Sequence, residues 1–216
     1  MKRLLEKILP QPVVDSYKNY QNIHGAAKNR KQWELAGKPL PPPHTVKQQA
    51  IQYYQKKSGY NVLVETGTYK GDMVFAQRNH FKKIYSIELS EALFEKAKKR
   101  FRGKTGITLL QGNSGDVIAT VLEVLKEPAI FWLDGHYSGG ITATIEKFSP
   151  VIEELQTLIA NNYFRHIILI DDARGFTGEN GYPALVEVKD ITSKHFPGYH
   201  FSVDEDIIRI VPQAFC

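Results

Sequence analysis

The stretch Asn61-Val62-Leu63-Val64-Glu65-Thr66-Gly67-Thr68-Tyr69-Lys70-Gly71-Asp72 joins a short apolar run to a glycine-bearing turn. A run that is apolar on both faces, here residues 61–65, is typical of a strand covered by helices on two sides. Gly67 and Gly71 allow the backbone to approach a ligand and allow the next helix to begin close to the strand. The spacing is not Gly-x-Gly-x-x-Gly, and a glycine turn without a ligand is the alternative.

Four further runs of the same kind alternate with helical segments, at residues 83–88, 107–111, 129–134 and 166–171. The intervening segments are long enough for right-handed crossovers, so we predict a doubly wound α/β fold with a mostly parallel sheet. The last two runs, residues 199–203 and 207–211, are separated by only three residues. A gap this short permits only a C-terminal antiparallel hairpin.

The chain divides at a proline cluster. Residues 37–43 contain four prolines and one glycine, which indicates an extended connector. The preceding residues have a helical pattern over 1–9 and from about 15 to 33, and a further helix is expected over 45–57. We therefore predict an N-terminal helical appendage with its connector over residues 1–43 and one domain over residues 44–216.

The formal net charge of +5 is unevenly distributed. Residues 1–57 hold 11 Lys and Arg against 3 Asp and Glu, a balance of +8, which leaves 17 against 20 for residues 58–216, a balance of −3. A mildly acidic body is unlike a groove that follows nucleic-acid phosphates, so the sequence argues against a nucleic-acid partner.

Cysteine content and hydropathy limit the classes of protein further. The single cysteine is Cys216, the last residue, which excludes an internal disulfide framework and a Cys-based zinc site and argues against a cysteine nucleophile. No apolar run approaches the ~18 residues of a membrane span, and the start is too short and too charged for a signal peptide. We expect a cytoplasmic protein.

Polar residues end the second and third runs. Glu88 lies 21 positions after Gly67, and an acidic residue ~20 positions past a glycine turn can grip a ribose diol. Its alternative role is to favour the start of the helix after Ser90. Asn113 and Ser114 follow the third run, where they could meet an adenine edge or cap a helix.

Three aspartates end the fourth and fifth runs: Asp134, Asp171 and Asp172. If these strands are neighbours, the carboxylates converge at one edge of the sheet, where they would repel one another unless a cation compensates them. All-oxygen ligation suits Mg²⁺ or another hard divalent cation, so we predict a metal site. The alternative is that Asp134 or Asp171 caps a helix or pairs with Arg174.

His136 lies two residues after Asp134 on the loop over the same edge. A histidine with an ordinary pKa of ~6.5 could accept a proton from a substrate hydroxyl. It could also bind the metal or be held by backbone groups of the loop.

As an ordered set, these features resemble the class I S-adenosylmethionine-dependent methyltransferases over roughly residues 45–212. The resemblance rests on Glu65-x-Gly67-x-x-x-Gly71, Glu88, Asn113-Ser114 and the final antiparallel pair. It implies a Rossmann-like fold and S-adenosylmethionine as cofactor. The residues that it implies for cofactor binding are Glu65, Gly67, Thr68, Tyr69, Gly71, Asp72, Glu88, Asn113, Ser114 and Asp134.

Asp134-Gly135-His136 and Asp171-Asp172 are further similar to the macrocin-type sugar O-methyltransferases, which carry Asp-Gly-Asp and Asp-Asp at these places. Residues 133–140 also resemble methyltransferases of bacterial polysaccharide clusters. The resemblance implies a sugar or glycan substrate, Mg²⁺ held by Asp134, Asp171 and Asp172, and a catalytic base where this chain has His136.

Three rival functions follow from the same residues. A nucleic-acid methyltransferase would fit the basic N-terminus, but the Asn or Asp-Pro-Pro-aromatic element of amino-methylating enzymes is replaced here by Leu133-Asp134-Gly135-His136. A nicotinamide-dependent oxidoreductase is disfavoured by the glycine spacing. A protein that only binds a nucleotide or a glycan is the third alternative.

The N-terminal residues suggest two partners. Residues 1–9 carry Lys2, Arg3 and Lys7 on one side and four apolar residues on the other, so they either pack on protein or rest on the inner face of an anionic membrane. Packing on a second subunit would make the protein a homodimer.

Overall fold

The structure is a computed structural model, and it describes residue 13 and residues 25–135, 149–161 and 163–216. The membrane contact predicted for residues 1–9 and the catalytic role predicted for His136 lie outside the described residues. Both stay predictions, as does the homodimer.

Seven strands form one sheet in the order β3-β2-β1-β4-β5-β7-β6. They are β1 Val62–Thr66, β2 Lys83–Glu88, β3 Ile107–Gln111, β4 Ala129–Leu133, β5 Ile167–Ile170, β6 Tyr199–Asp204 and β7 Ile207–Pro212. The first five strands pair in parallel, and β7 runs antiparallel to both β5 and β6. This arrangement confirms the mostly parallel, doubly wound sheet with a C-terminal antiparallel hairpin.

Each predicted strand differs from the observed one by at most a single residue at either end. Thr66 belongs to β1 because it is paired with Ile87 and Leu133. Asp134 and Asp171, in contrast, come directly after β4 and β5 and lie at the edge of the sheet. Their amides still donate to the neighbouring strands, Asp134 to the carbonyl oxygen of Thr66 and Asp171 to that of Leu133.

The described helices flank the strands. They are the helical residues 25–35, then α1 His44–Ser58, α2 Asp72–Gln77, α3 Glu91–Arg100, α4 Ser114–Val124, α5 Val151–Ala160 and α6 Leu185–His195. Alternate residues of β4 face opposite sides of the sheet: Phe131 packs with α4 and α5, and Trp132 packs with α1 and α2. The five residues of β1 and of β4 are all buried, as a two-sided strand requires.

The order of the strands creates a switch point between β1 and β4. The chain proceeds from β1 through β2 to β3 on one side and then returns to form β4 and β5 on the other. In open α/β sheets, ligands bind beyond the carboxyl ends of the strands at this point. The residues that follow β1, β2, β4 and β5 are therefore those that matter for function.

The described part of the N-terminal appendage packs against the body. Trp33 is only 5% exposed, and its indole Nε1 donates a hydrogen bond to the carbonyl oxygen of Pro39 at 2.8 Å. Arg30 contacts Gln49 of α1 and forms an ion pair with Glu205 of the hairpin turn. Within the described residues, no helix has the length and apolarity that a membrane crossing requires.

Candidate functional site

The turn after β1 lies against the residues that follow β4. Gly67 has a φ of 82°, and a Cβ atom at this position would come within 2.3 Å of the carbonyl oxygen of Asp134. Its amide donates to the carbonyl oxygen of Ile87 at 2.9 Å. Both the backbone conformation and the close approach require glycine, which gives the glycine of the predicted turn a physical role.

A buried cluster of three polar side chains, Glu65, Ser86 and Thr68, lies beside this turn. Glu65 is 1% exposed, and its Oε2 accepts a hydrogen bond from the Ser86 hydroxyl at 2.5 Å. The Ser86 hydroxyl lies 2.6 Å from that of Thr68. Burial raises the pKa of Glu65 well above its ordinary value; Asp134, Glu88 and Asp72 act in the same direction. These carboxyl groups therefore lie close enough together to influence one another.

Glu88 ties the turn to the end of β2. Its Oε2 accepts the backbone N–H of Tyr69 at 2.7 Å, and its Oε1 accepts the backbone N–H of Ser90 at 2.9 Å. The second bond shows that Glu88 does support the start of α3, which was the alternative role. A carboxylate has about four acceptor positions, so two remain for a ligand such as a ribose diol.

The other residues predicted to bind the cofactor surround the same turn. Gly71 has a φ of 74° directly before α2, and Asp72 pairs with Arg100 at 2.8 Å. Asn113 is the N-cap of α4, where its side chain accepts the N–H of Gly115 at 3.1 Å, so the capping alternative is observed. Ser114 is 8% exposed; its hydroxyl lies close to Gly135.

The aspartates that end β4 and β5 are adjacent. The pairing of Leu133 with Ile170 places Asp134 and Asp171 side by side, and the Asp171 amide donates to the Leu133 carbonyl oxygen at 3.0 Å. Burial raises the pKa of Asp171, and the charge of Asp134 acts in the same direction. The predicted convergence of these carboxylates is therefore observed.

A lysine compensates these carboxylates. Lys47 of α1 places its Nζ 2.5 Å from Oδ2 of Asp171 and 3.0 Å from Oδ1 of Asp172. Burial alone would lower the pKa of Lys47, but the two carboxylates outweigh it and the pKa is raised. Arg174 adds a second cation at 3.0 Å from Oδ1 of Asp172. The predicted alternative places this pairing at Asp134 or Asp171, whereas it is observed at Asp172.

The carboxylates as arranged do not fit a divalent cation. No group of three or more side chains able to ligate a metal is found among residues 13, 25–135, 149–161 and 163–216. Oδ2 of Asp171 faces the ammonium group of Lys47, and Oδ1 of the same residue accepts the N–H of Asp172 at 2.8 Å. Both oxygens of Asp171, and Oδ1 of Asp172, are therefore engaged by protein donors.

Tyr182 also belongs to this site. Burial raises the pKa of its phenol, and Asp172, Asp134 and Asp171 act in the same direction. Its ring packs edge-on against Phe176 at 5.6 Å between ring centroids. The charges of these carboxylates act on the phenol, so Tyr182 lies near the acidic end of the site.

Sequence reasoning missed Lys47, Ser86 and Tyr182. Lys47 lies 124 positions from Asp171, and nothing in the pattern of α1 distinguishes it from the other lysines of that helix. Ser86 carried a signal that could have been used, since it is a polar residue inside the apolar run of β2. Such a residue is expected to have a buried partner.

Comparisons with known proteins bear on the fold. No protein-family model matches the chain, and the comparison with curated proteins finds no match. Among solved structures, the S-adenosylhomocysteine-bound methyltransferase PaMTH1 from Podospora anserina matches with a TM-score of 0.55 and 15% identity, covering 94% of this chain and 97% of that one. The O-methyltransferase TomG from Streptomyces achromogenes, in complex with S-adenosylmethionine and involved in tomaymycin synthesis, matches with a TM-score of 0.53 and 13% identity, covering 95% and 100%.

Both similarities extend over nearly the whole chain. Identities this low establish the fold and not the activity. The chain therefore has the Rossmann-like class I methyltransferase fold.

Proposed function

We propose that this protein is an S-adenosylmethionine-dependent O-methyltransferase that acts on a sugar hydroxyl of a glycan or glycosylated metabolite. The observation that carries the proposal is the acidic site at the switch point, where a glycine turn contacts the backbone of Asp134 and where Glu88 fixes the turn from β2.

The charge of the site supports a cationic cofactor. Glu88, Asp72 and Asp134 are the acidic groups that act electrostatically around the turn, since the raised pKa of Glu65 favours its neutral form. S-adenosylmethionine carries a positively charged sulfonium and an ammonium group, and acidic side chains in a partly buried cleft attract such groups more strongly than they would in water. NAD⁺ carries a pyrophosphate, which the same carboxylates would repel.

The conformation of the turn supports the same cofactor. Glu88 holds the turn at the amide of Tyr69, and its carboxylate keeps acceptor positions for a ribose. The residues proposed to hold the cofactor are the ten that the sequence predicted, with Asn113 also serving as a helix cap.

The cofactor supplies a methyl group whose C–S electron pair stays on sulfur, so that the acceptor oxygen gains the carbon and gives up one proton. Asp134 lies between the glycine turn and Asp171, where it can orient the acceptor hydroxyl. His136, two residues further along the chain, is proposed to take the proton.

The acceptor is proposed from the resemblance of residues 133–140 and of Asp171-Asp172 to sugar and polysaccharide methyltransferases. TomG is named as an O-methyltransferase, which supports oxygen as the accepting atom here. The predicted Mg²⁺ is not used in the proposed reaction, because Lys47 engages Asp171 and Asp172.

Two observations bear on the rival functions. The described helix of the basic segment carries Lys28, Arg30 and Lys31. Arg30 is paired with Glu34 and Glu205, so it is not available to phosphates. The carboxylates of the site likewise disfavour a polyanion. A protein that only binds the cofactor would form no methylated product, and this distinguishes it from the proposed enzyme.

The test is incubation of the protein with S-adenosylmethionine and a panel of glycans, with mass spectrometry of the products. A phenol and an RNA oligonucleotide serve as competing acceptors. We expect one methyl group on a sugar oxygen, and we expect Asp134→Asn and His136→Ala to lose the activity. Asp190→Asn, the same chemical change on an exposed residue of α6, should retain it. Methylation of the RNA or the phenol, with none of any glycan, would contradict the proposed acceptor.

A further inference from the structure

Lys47 connects the first helix of the body to the end of β5. Its side chain is 13% exposed, and that of Asp171 is 1% exposed, so the ion pair between them is largely removed from water. The same ammonium group reaches Asp172, whose side chain is 27% exposed. A cation that bridges two consecutive carboxylates occupies the place where a divalent ion would be expected.

Hydrogen bonds fix the two carboxylates in this arrangement. The second oxygen of Asp171 accepts the amide of Asp172 at 2.8 Å. Asp172 has a left-handed backbone, with a φ of 56°, and Arg174 lies on its Oδ1 at 3.0 Å. Arg174 is in turn paired with Asp206 of the hairpin turn. The two carboxylates therefore have two cationic side chains close to them.

A divalent ion and the Lys47 ammonium compete for the same oxygen atoms. Hard divalent ions bind oxygen at roughly 2.0–2.6 Å, and an ion held by both Asp171 and Asp172 would compete for Oδ2 of Asp171 and Oδ1 of Asp172. The ammonium group lies 2.5 and 3.0 Å from those two atoms. Both cations cannot be accommodated together, because like charges this close repel each other strongly in a partly buried site.

We propose that Lys47 is the resident cation of this site: its ammonium group positions Asp171 and Asp172 and excludes a divalent ion from them. Lys47 is thus a positioning residue, and Asp171 and Asp172, which follow β5, hold no metal ion. The inference concerns cation binding alone, so it can fail while the proposed methyl transfer holds, and the reverse is equally true.

The test measures Mn²⁺ binding to the full chain by calorimetry and by electron paramagnetic resonance. The key variant is Lys47→Met, which keeps an unbranched side chain of similar length and removes the charge. Lys56→Met is the matched control, because Lys56 is an exposed lysine of the same helix. We expect Lys47→Met to bind Mn²⁺ at least tenfold more tightly than the natural protein, and we expect Lys56→Met to bind as the natural protein does.

A third variant identifies the site. Addition of Asp171→Asn to Lys47→Met should abolish the gain in affinity, because it removes one ligand carboxylate. Equal Mn²⁺ affinity in the natural protein and in folded Lys47→Met would overturn the proposal. A purely structural role for Lys47 would change the stability of the protein without creating a metal site.

A second comparison covers the case in which Lys47→Met does not fold. The natural protein and Asp171→Asn alone are then titrated with Mn²⁺. We expect the two curves to coincide, since Asp171 holds no metal while Lys47 is in place. Tight binding by the natural protein that Asp171→Asn abolishes would refute the proposal.

Discussion

Replacement of Gly67 by alanine tests the contact between the glycine turn and the residues after β4. Gly67 has a φ of 82°, and the new Cβ would lie 2.3 Å from the carbonyl oxygen of Asp134 and 2.9 Å from its carbonyl carbon. Adoption of a left-handed backbone by alanine costs about 1–2 kcal/mol. Insertion of a methyl group into a packed contact costs about 1–3 kcal/mol more, because backbone atoms cannot rotate away.

We therefore expect Gly67→Ala to lower the free energy of unfolding by about 2–5 kcal/mol. The displaced turn should also weaken S-adenosylmethionine binding more than tenfold, because the amide of Tyr69 would no longer meet Glu88 in the same position. Urea denaturation measures the stability, and calorimetric titration measures the affinity.

Gly37→Ala is the matched control for this experiment. Gly37 has a φ of 83°, nearly that of Gly67, and a Cβ there would meet nothing within 4 Å. The free energy of unfolding of the control should therefore fall only by the cost of a left-handed backbone for alanine, about 1–2 kcal/mol. Its affinity for S-adenosylmethionine should be unchanged. Equal losses of stability in the two variants, with the affinity unchanged in both, would refute the inferred contact.

The remaining predictions concern His166 and Trp33. Burial lowers the pKa of His166 to about 4 from an ordinary value of 6.5, so the unfolded chain takes up a proton as the pH falls below 6.5 while the folded chain does not. We expect this residue to remove about 3 kcal/mol of stability between pH 6.5 and 4. His166→Asn keeps an acceptor for the Ala129 amide, and its unfolding free energy should fall less over this range; a pH dependence that matched the natural protein would contradict the assignment. Trp33→Ala should cost about 3–5 kcal/mol because the indole is buried, whereas Trp33→Phe should cost less. A loss below about 1 kcal/mol for Trp33→Ala in urea denaturation would show that the buried indole does not stabilise the fold.

The fold could be predicted from sequence because its signals are local. The runs that became β1, β4 and β5 are continuous and apolar, and the short gap before Ile207 allows only a hairpin. In that hairpin, Glu205 and Asp206 have φ values of 55° and 64°, which a tight two-residue turn requires. The single-residue errors at strand ends arise because pairing with neighbouring strands, and not composition, determines where a strand stops.

The candidate site could be predicted only in part. Asp134 and Asp171 were correctly placed together, because parallel strands end at one edge of the sheet. The partner of Asp171 could not be predicted, since Lys47 reaches it from a helix 124 positions away. The carboxylates alone therefore indicated a metal ion, whereas the folded chain supplies an ammonium group.

The acidic turn between β1 and β4 is proposed to bind S-adenosylmethionine. Calorimetric titration of the natural protein with S-adenosylmethionine, alongside NAD⁺, tests this most directly. We expect saturable binding of S-adenosylmethionine that Glu88→Ala weakens by at least tenfold, and no binding of NAD⁺. Binding of NAD⁺ in preference to S-adenosylmethionine, or no heat with either, would contradict this proposal.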